Sequence, residues 1–222
     1  MIPLTLSLQN IQCERDERLL FGGISGTFSS GDMVQVTGEN GAGKTTLLRV
    51  LAGISDHYTG ALTWQSQSCP RVSKAFLQRH LLYLGHKPAV SISLTARENL
   101  AWYFGLNGLS HSAADRSPKA NYEYALECVG LRGYEDVPCK QMSAGQQRRV
   151  ALARLFLSQA PLWILDEPFT AIDVSGVALL ESCIDAHCAS GGLVIMTSHQ
   201  SVKLKLLQTI DLLRTGRVLA DA

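Results

Sequence analysis

The sequence predicts an α/β fold, in which a mainly parallel sheet follows a small set of antiparallel strands and is interrupted by inserted helices. A strand, a glycine loop and a helix follow one another at 33–54, and strands alternate with helices again after residue 160. The 222 residues can bury the core of one large domain. We therefore expect a single domain over 1–222, with a helical subdomain inserted at about 90–157.

The first third of the chain predicts strands. Leu4, Leu6 and Leu8 alternate with polar residues, as in a half-buried strand. Glycine-containing turns at 22–23 and 29–32 separate the strands that follow, which indicates a small antiparallel sheet. The next predicted strand is 33–37, followed by a glycine loop and a helix over 44–54.

The middle of the chain predicts helices, and its end returns to strands. Thr95 with Glu98, and Ser143 with Gln146, have the spacing of capping boxes that begin helices. A third helix is expected over 122–129, after a polar loop at 105–119. Strands are then predicted at 162–165 and 193–197, helices at 174–189 and 201–208, and a closing hairpin at 211–220.

Composition narrows the possible function classes. The 46% hydrophobic and 18% charged residues are ordinary for a folded protein. A net charge of +1 gives no general electrostatic argument for nucleic acid as a partner. No apolar run has the roughly 18 residues of a spanning helix, and the first residues lack a secretory leader pattern. We therefore expect a cytosolic protein. Its six cysteines form no CxxC pair and fit no zinc template, so we expect them to be reduced.

A glycine-rich loop carries the strongest chemical signal. Residues 38–45 fit the pattern G-x-x-x-x-G-K-[ST] between a strand and a helix, which predicts a P-loop that binds nucleotide phosphates. Lys44 would reach the β- and γ-phosphates, and the Thr45 hydroxyl would bind Mg²⁺. The alternative is a glycine turn with a chance lysine. The candidate nucleotide-binding residues are Gly38, Glu39, Asn40, Gly41, Ala42, Gly43, Lys44, Thr45 and Thr46.

Two further motifs carry candidate chemistry. Asp166 and Glu167 end an apolar strand, where Asp166 would hold Mg²⁺ and Glu167 would act as general base on a water. The alternative is a pair of acids that begins a solvated loop. Ser143, at a predicted helix N-cap, would bind an anion with the amides behind it, although the same pattern fits a plain capping box.

In order and spacing, these motifs resemble those of the ATP-binding-cassette (ABC) ATPases over essentially the whole chain. The resemblance implies a P-loop NTPase with a RecA-like core and an inserted helical subdomain. Residues 38–45 resemble the Walker A motif and 162–167 the Walker B motif. The signature motif corresponds to Ser143, Ala144, Gly145 and Gln146, with Ala144 where most members have glycine. Residues 170–173, ending in Asp173, resemble the D-loop, and His199 resembles the switch histidine.

Two positions depart from the family pattern. His86 stands where members usually have a glutamine that helps to bind Mg²⁺ and connects the site to the membrane partner. Imidazole is a poor Mg²⁺ ligand, so His86 would act through water or in coupling. Arg15 stands where an aromatic residue usually stacks on adenine. Its guanidinium could stack there instead, or could simply be solvated.

Residues 82–88, 142–154 and 161–173 resemble, more narrowly, the ATPase subunits of bacterial cytochrome c maturation systems. The resemblance implies a peripheral subunit on the cytoplasmic face of the inner membrane that uses ATP and Mg²⁺. Its partners would be an integral-membrane permease (CcmB-like), CcmC- and CcmD-like proteins and a second ATPase copy, with no nucleic acid. The complex would export haem or release a haem-loaded chaperone.

The family resemblance also implies how two copies share a site. The copies meet head to tail, so Ser143 and Gly145 of one contact the γ-phosphate held by the other, while His199 orients that phosphate and the water. We expect the membrane partner to dock on 92–119, where Trp102, Tyr103 and Phe104 form an exposed-looking run, with one or two of these rings expected in the subdomain core instead. The alternatives are a soluble ABC ATPase in another process and a regulatory nucleotide-sensing subunit.

Overall fold

The computed structural model describes residues 2–15, 18–66, 73–106, 118–170, 172–198, 207–212 and 218–220. The chain divides into two compact units. The first comprises Met1–Tyr83, Ala160–Pro168 and Ile184–Ala222, and the second comprises Leu84–Gln159 and Phe169–Cys183. The strands are β1 Leu4–Arg15, β2 Arg18–Ser29, β3 Met33–Thr37, β4 Thr59–Ser66, β5 Leu81–Leu84, β6 Leu162–Asp166, β7 Leu193–Thr197, β8 Leu207–Asp211 and β9 Val218–Ala220. The helices are α1 Lys44–Leu51, α2 Lys74–Arg79, α3 Ala96–Leu106, α4 Pro118–Cys128, α5 Ala144–Leu152 and α6 Val174–Ala189, with 3₁₀ turns at Cys139–Gln141 and Ala153–Phe156.

The front of the chain forms a three-stranded antiparallel sheet in the order β2-β1-β4. Leu4, Leu6 and Leu8 are buried on one face of β1, and the polar residues between them are more exposed. Side chains alternate between the two faces of a strand, so this pattern buries one face and leaves the other toward solvent. The predicted antiparallel sheet is confirmed.

A six-stranded sheet in the order β5-β6-β7-β3-β8-β9 forms the centre of the first unit. The neighbours β6, β7, β3 and β8 pair in parallel, and β8 pairs with β9 in an antiparallel hairpin. Every residue of β6 and β7 is buried. This explains their continuous apolar sequences, since strands covered on both faces do not alternate. The predicted mainly parallel sheet is confirmed.

The end of the chain differs from the prediction. Residues 207 and 208, expected in a helix over 201–208, belong to β8, and the hairpin therefore begins before residue 211. In β8, Leu207 pairs with Met33 and Ile210 with Val36 of β3. This pairing buries Ile210 in the core and overrides the local helical pattern. Residues 201–206 lie outside the described part of the chain.

Both predicted capping boxes are present in the second unit. The Thr95 backbone N–H donates to Glu98 Oε2 (2.8 Å), and the Glu98 N–H donates to Thr95 Oγ1 (3.1 Å). Ser143 and Gln146 exchange the same two bonds, at 2.9 and 3.2 Å, at the start of α5. Each box satisfies amides that a helix N-terminus leaves without partners. Among the described residues, no helix is both long enough and apolar enough to cross a membrane.

Candidate nucleotide site

The glycine loop lies between β3 and α1, as its sequence predicts. Gly38, Gly41 and Gly43 have φ angles of 149°, 85° and 96°, a region that favours glycine. A Cβ on Gly43 would also lie 2.8 Å from Cδ1 of Phe21. Gly43 is the N-cap residue of α1, so the positive end of that helix lies at the end of the loop.

The ammonium group of Lys44 lies against this loop. Its Nζ donates hydrogen bonds to the carbonyl oxygens of Gly38 (2.8 Å) and Glu39 (3.2 Å). The lysine is the first residue of α1, and its side chain runs back along the loop rather than along the helix. A positive charge and a helix N-terminus therefore converge on one loop, which suits an anion such as phosphate.

Asp166 connects the loop to two neighbouring strands. Thr45 Oγ1 donates to Asp166 Oδ2 (2.9 Å), and Thr197 Oγ1 donates to Asp166 Oδ1 (2.9 Å). The carboxylate is only 3% exposed. Hydroxyl and carboxylate oxygens are ligands that Mg²⁺ prefers, so Thr45 and Asp166 fit the predicted metal site.

Glu167 follows β6 in a left-handed conformation, with φ of 52°. Its backbone N–H donates to Thr197 Oγ1 at 2.9 Å. Residues other than glycine adopt this backbone conformation at a cost of roughly 1–2 kcal/mol. The hydrogen bond to the buried Thr197 hydroxyl therefore helps to hold Glu167 in this conformation.

Thr197 is the residue of this site that sequence reasoning missed. Its hydroxyl donates to one acid and accepts from the backbone of the next, so it fixes both residues at once. The available signal was weak: Thr197 is a polar residue at the end of an apolar strand. Its importance depends on the pairing of β6 with β7, which places it opposite Asp166.

The structure brings together Lys44, Thr45, Asp166 and Glu167 in the first unit, whereas Ser143 and Asp173 belong to the second unit. Ser143 caps α5 and is exposed. Asp173 accepts from the Gly176 backbone N–H (2.8 Å) and from the Ser175 hydroxyl (3.1 Å). These two bonds lower the pKa of Asp173, and the bond from Gly176 has the larger effect. Ala171 and His199 lie outside the described residues.

The two positions that depart from the family pattern are both exposed. Arg15 ends β1, opposite Arg18 of β2. His86 lies two residues after β5, and its carbonyl oxygen accepts from Arg148 Nη1 at 3.5 Å.

The three rings at 102–104 are divided between surface and core, as the sequence allowed. Trp102 is 52% exposed, but Phe104 is only 2% exposed and Tyr103 is half-buried beneath Arg154. Consecutive helix residues point in different directions around the axis, so the three rings cannot share one face. Of this run, Trp102 is the ring most available to a docking partner.

The ABC transporter family model matches residues 21–170, and the chain belongs to this family. Among its relatives, the cytochrome c biogenesis ATP-binding export protein CcmA of Saccharophagus degradans is 56% identical over 92% of each chain. The protein of the same name from Salmonella typhi is 52% identical over 88% of this chain and 89% of its own.

Solved structures share the fold at lower identity. A putative ABC transporter ATP-binding protein from Pyrococcus furiosus superposes with a TM-score of 0.77, at 22% identity over 96% of this chain and 100% of its own. A dimeric ATP-binding cassette in a post-hydrolysis state, bound to ADP and Pi, superposes with a TM-score of 0.75. It is 18% identical over 97% of this chain and 98% of its own. The predicted fold class and the predicted family are both confirmed.

Proposed function

We propose that this chain is the ATP-binding and ATP-hydrolysing subunit of an ABC transporter complex for c-type cytochrome biogenesis. The observation that carries the proposal is the convergence of the Thr45 and Thr197 hydroxyls on buried Asp166, beside a glycine loop that holds the Lys44 ammonium group. The names of relatives more than 50% identical support the choice of system.

The loop residues 38–46 bind the phosphates of ATP. Lys44 exchanges its two carbonyl partners for β- and γ-phosphate oxygens, which are stronger acceptors for an ammonium group because they are charged. The exposed guanidinium of Arg15 stacks on adenine in place of the usual aromatic ring.

Thr45 and Asp166 would hold Mg²⁺. When bound there, the ion would supply positive charge that neutralises the phosphates. Glu167 accepts the proton of the attacking water, and its backbone is held by Thr197. His199 orients the γ-phosphate and that water.

A second copy of the chain completes each site. Ser143, Ala144, Gly145 and Gln146 of one copy contact the γ-phosphate held by the other, and Asp173 lies at the junction. Ser143 is exposed at the N-terminus of helix α5, where the amides and the helix dipole favour an anion. ATP binding then closes the pair and hydrolysis opens it, as a ligand-biased two-state switch.

The second unit docks on a CcmB-like permease, with CcmC- and CcmD-like proteins nearby, at the cytoplasmic face of the bacterial inner membrane. The exposed side chains of Ile92 (59%) and Trp102 (52%) support a docking surface there. His86 couples this surface to the nucleotide site. The work done is haem export or release of a haem-loaded chaperone.

Substitution of the general base tests the proposal. In purified chain, Glu167→Gln should hydrolyse ATP about 10²–10⁴-fold more slowly than wild type and should still bind ATP. The amide keeps the shape of the side chain but cannot accept the proton. Glu127→Gln is the matched control, because Glu127 is an exposed carboxylate paired with Arg132, and its variant should hydrolyse ATP at the wild-type rate.

Other outcomes point to the other functions. ATP binding without hydrolysis in the wild-type chain, alone and with the permease, would favour a regulatory nucleotide sensor. Hydrolysis that the permease leaves unchanged would favour a soluble ABC ATPase of another process. Hydrolysis that survives in Glu167→Gln would remove Glu167 from the role of base.

A further inference from the structure

Two arginines of the second unit hold one loop by its backbone. The loop comprises residues 85–89, follows β5 and carries His86; we call it the 85–89 loop. Arg148 Nη1 donates to the carbonyl oxygens of Gly85 and His86, the latter at 3.5 Å. Arg154 Nη2 donates to the carbonyl oxygen of Ala89 at 2.8 Å. Arg148 lies in α5 and Arg154 in the 3₁₀ turn that continues it, so both belong to the element that begins at Ser143.

Arg154 is an unusual cation because it is buried without a carboxylate. It is 2% exposed, and among the described residues it forms no ion pair. Its guanidinium lies 4.3 Å from the centre of the Tyr103 ring. Its Nε has no hydrogen-bond partner among the residues that the structure describes. Burial lowers the pKa of Arg154. Burying a charge in this way costs stability, and apolar side chains of similar size often do better.

Arg97 of the same unit shows the ordinary arrangement. Its guanidinium bonds the carboxylates of Glu123 at 2.8 Å and Asp136 at 3.0 Å. Arg97 is therefore stabilised by carboxylates, whereas the buried guanidinium of Arg154 bonds a backbone carbonyl oxygen. The role of Arg154 that follows from this contact is to fix the position of that carbonyl.

The carbonyl in question belongs to a strained residue. Ala89 has a φ of 49°, which a side chain other than glycine rarely adopts. Strained backbone persists only where the surroundings impose it, and it concentrates at ligand clamps and switch regions. The bond from Arg154 is one such constraint, and the two bonds from Arg148 fix the other end of the same loop.

We infer that Arg148 and Arg154 are positioning residues that make the 85–89 loop one rigid body with the helix that begins at Ser143. A displacement of His86 then displaces Ser143 with it, because the loop is bonded at both ends to the same element. This inference rests on the proposed function, in which His86 couples the docking surface to the nucleotide site and Ser143 contacts the γ-phosphate held by the second copy. The two arginines therefore carry the effect of the permease to the signature motif.

The test uses Arg148→Met and Arg154→Met in the full chain, with Arg97→Met as the matched control. Methionine keeps much of the apolar stem and removes the donors. In both variants, the factor by which the permease stimulates hydrolysis should fall roughly fivefold or more. A roughly fivefold change is the lower end of the usual range of coupling between sites. Hydrolysis without the permease should stay within about twofold of wild type, since neither arginine contacts ATP. Arg97→Met should keep the stimulation.

Hydrogen exchange of the purified chain gives a second readout that needs no permease. Backbone amides of residues 86, 87 and 89–92 should exchange faster in both variants and at the wild-type rate in Arg97→Met. Wild-type stimulation or wild-type exchange in Arg148→Met overturns the inference, even if Arg154→Met fails to fold. If the permease does not stimulate the wild-type chain, the proposed function fails, and the exchange rates still decide whether the arginines hold the loop.

Discussion

At the scale of single residues, the Thr197 hydroxyl is the part of the site with the most precise role. It bonds Asp166 Oδ1 and the Glu167 backbone N–H, both at 2.9 Å. Thr197→Val keeps the shape of the side chain and removes both bonds. We expect kcat for ATP hydrolysis to fall by about 10–100-fold, since misplacing a catalytic group by about 1 Å has effects of this size.

The measurement is kcat together with the Kd of ATP. Binding should change little in Thr197→Val, because the valine alters the position of the acids rather than the phosphate loop. Thr197→Ser retains the hydroxyl and should recover most of the rate. A valine variant that turns over as fast as wild type would show that the fold holds Glu167 without this bond.

The sequence predicted the residues whose spacing is local and not those whose neighbours come from elsewhere in the chain. Lys44 and Thr45 are found from one motif, and Asp166 and Glu167 from one strand end. Thr197 is found only when the register of β6 and β7 is known. The sequence allowed one or two of the rings at 102–104 to be buried but did not say which, because the helix face that meets the core is decided by packing.

At the scale of elements, Ser143 has two roles that substitution can separate. It caps α5, and we propose that it also contacts the γ-phosphate of the second copy. Ser143→Ala should lower the free energy of unfolding by about 1 kcal/mol. Ser143→Asp caps the helix about as well and should keep stability, but its negative charge should abolish hydrolysis.

Thr95 supplies the control for this pair, since it caps α3 with the same box. Thr95→Ala should cost a similar free energy of unfolding, measured by chemical denaturation, and leave hydrolysis at the wild-type rate. Wild-type hydrolysis by Ser143→Asp would restrict Ser143 to its capping role.

Helix starts were the most predictable elements because their signals are local. Both capping boxes lie within four residues, and α6 has the limits that its sequence predicts. The helix expected over 201–208 is wrong at 207–208, where the sequence lacked any local sign of the partner strand. Leu207 to Ile210 pair with β3, more than 170 residues earlier.

At the scale of the whole molecule, one buried histidine makes stability depend on pH. His187 is stacked on Trp163, with ring centroids 3.7 Å apart, and is buried. Burial lowers the pKa of His187 to about 4, although a hydrogen bond to the Pro161 backbone opposes this. The folded state favours the neutral ring, so its contribution is complete above the unfolded pKa of about 6.5 and is lost as pH falls toward 4.

We therefore expect this group to remove about 2 kcal/mol of unfolding free energy between pH 7.5 and pH 5. Denaturant unfolding followed by tryptophan fluorescence measures it. In His187→Gln, which cannot titrate, the loss over this pH range should be smaller by that amount. An equal loss in both proteins would mean that other groups set the pH dependence.

The fold class and the family follow from the sequence because the order of the motifs and the alternation of strands and helices can be read along the chain. The strand order β5-β6-β7-β3-β8-β9 does not, since it is fixed by which strands pack together. The same limit applies to the 85–89 loop, whose arginine partners lie more than 60 residues later.

The central claim is that ATP hydrolysis by this chain energises a membrane permease. The most direct test is the rate of ATP hydrolysis by the wild-type chain and by Glu167→Gln, each alone and in vesicles with a CcmB-like permease. The account predicts a rate that rises with the permease in the wild type and is about 10²–10⁴-fold lower in Glu167→Gln in both settings. A wild-type rate that is the same with and without the permease would contradict it.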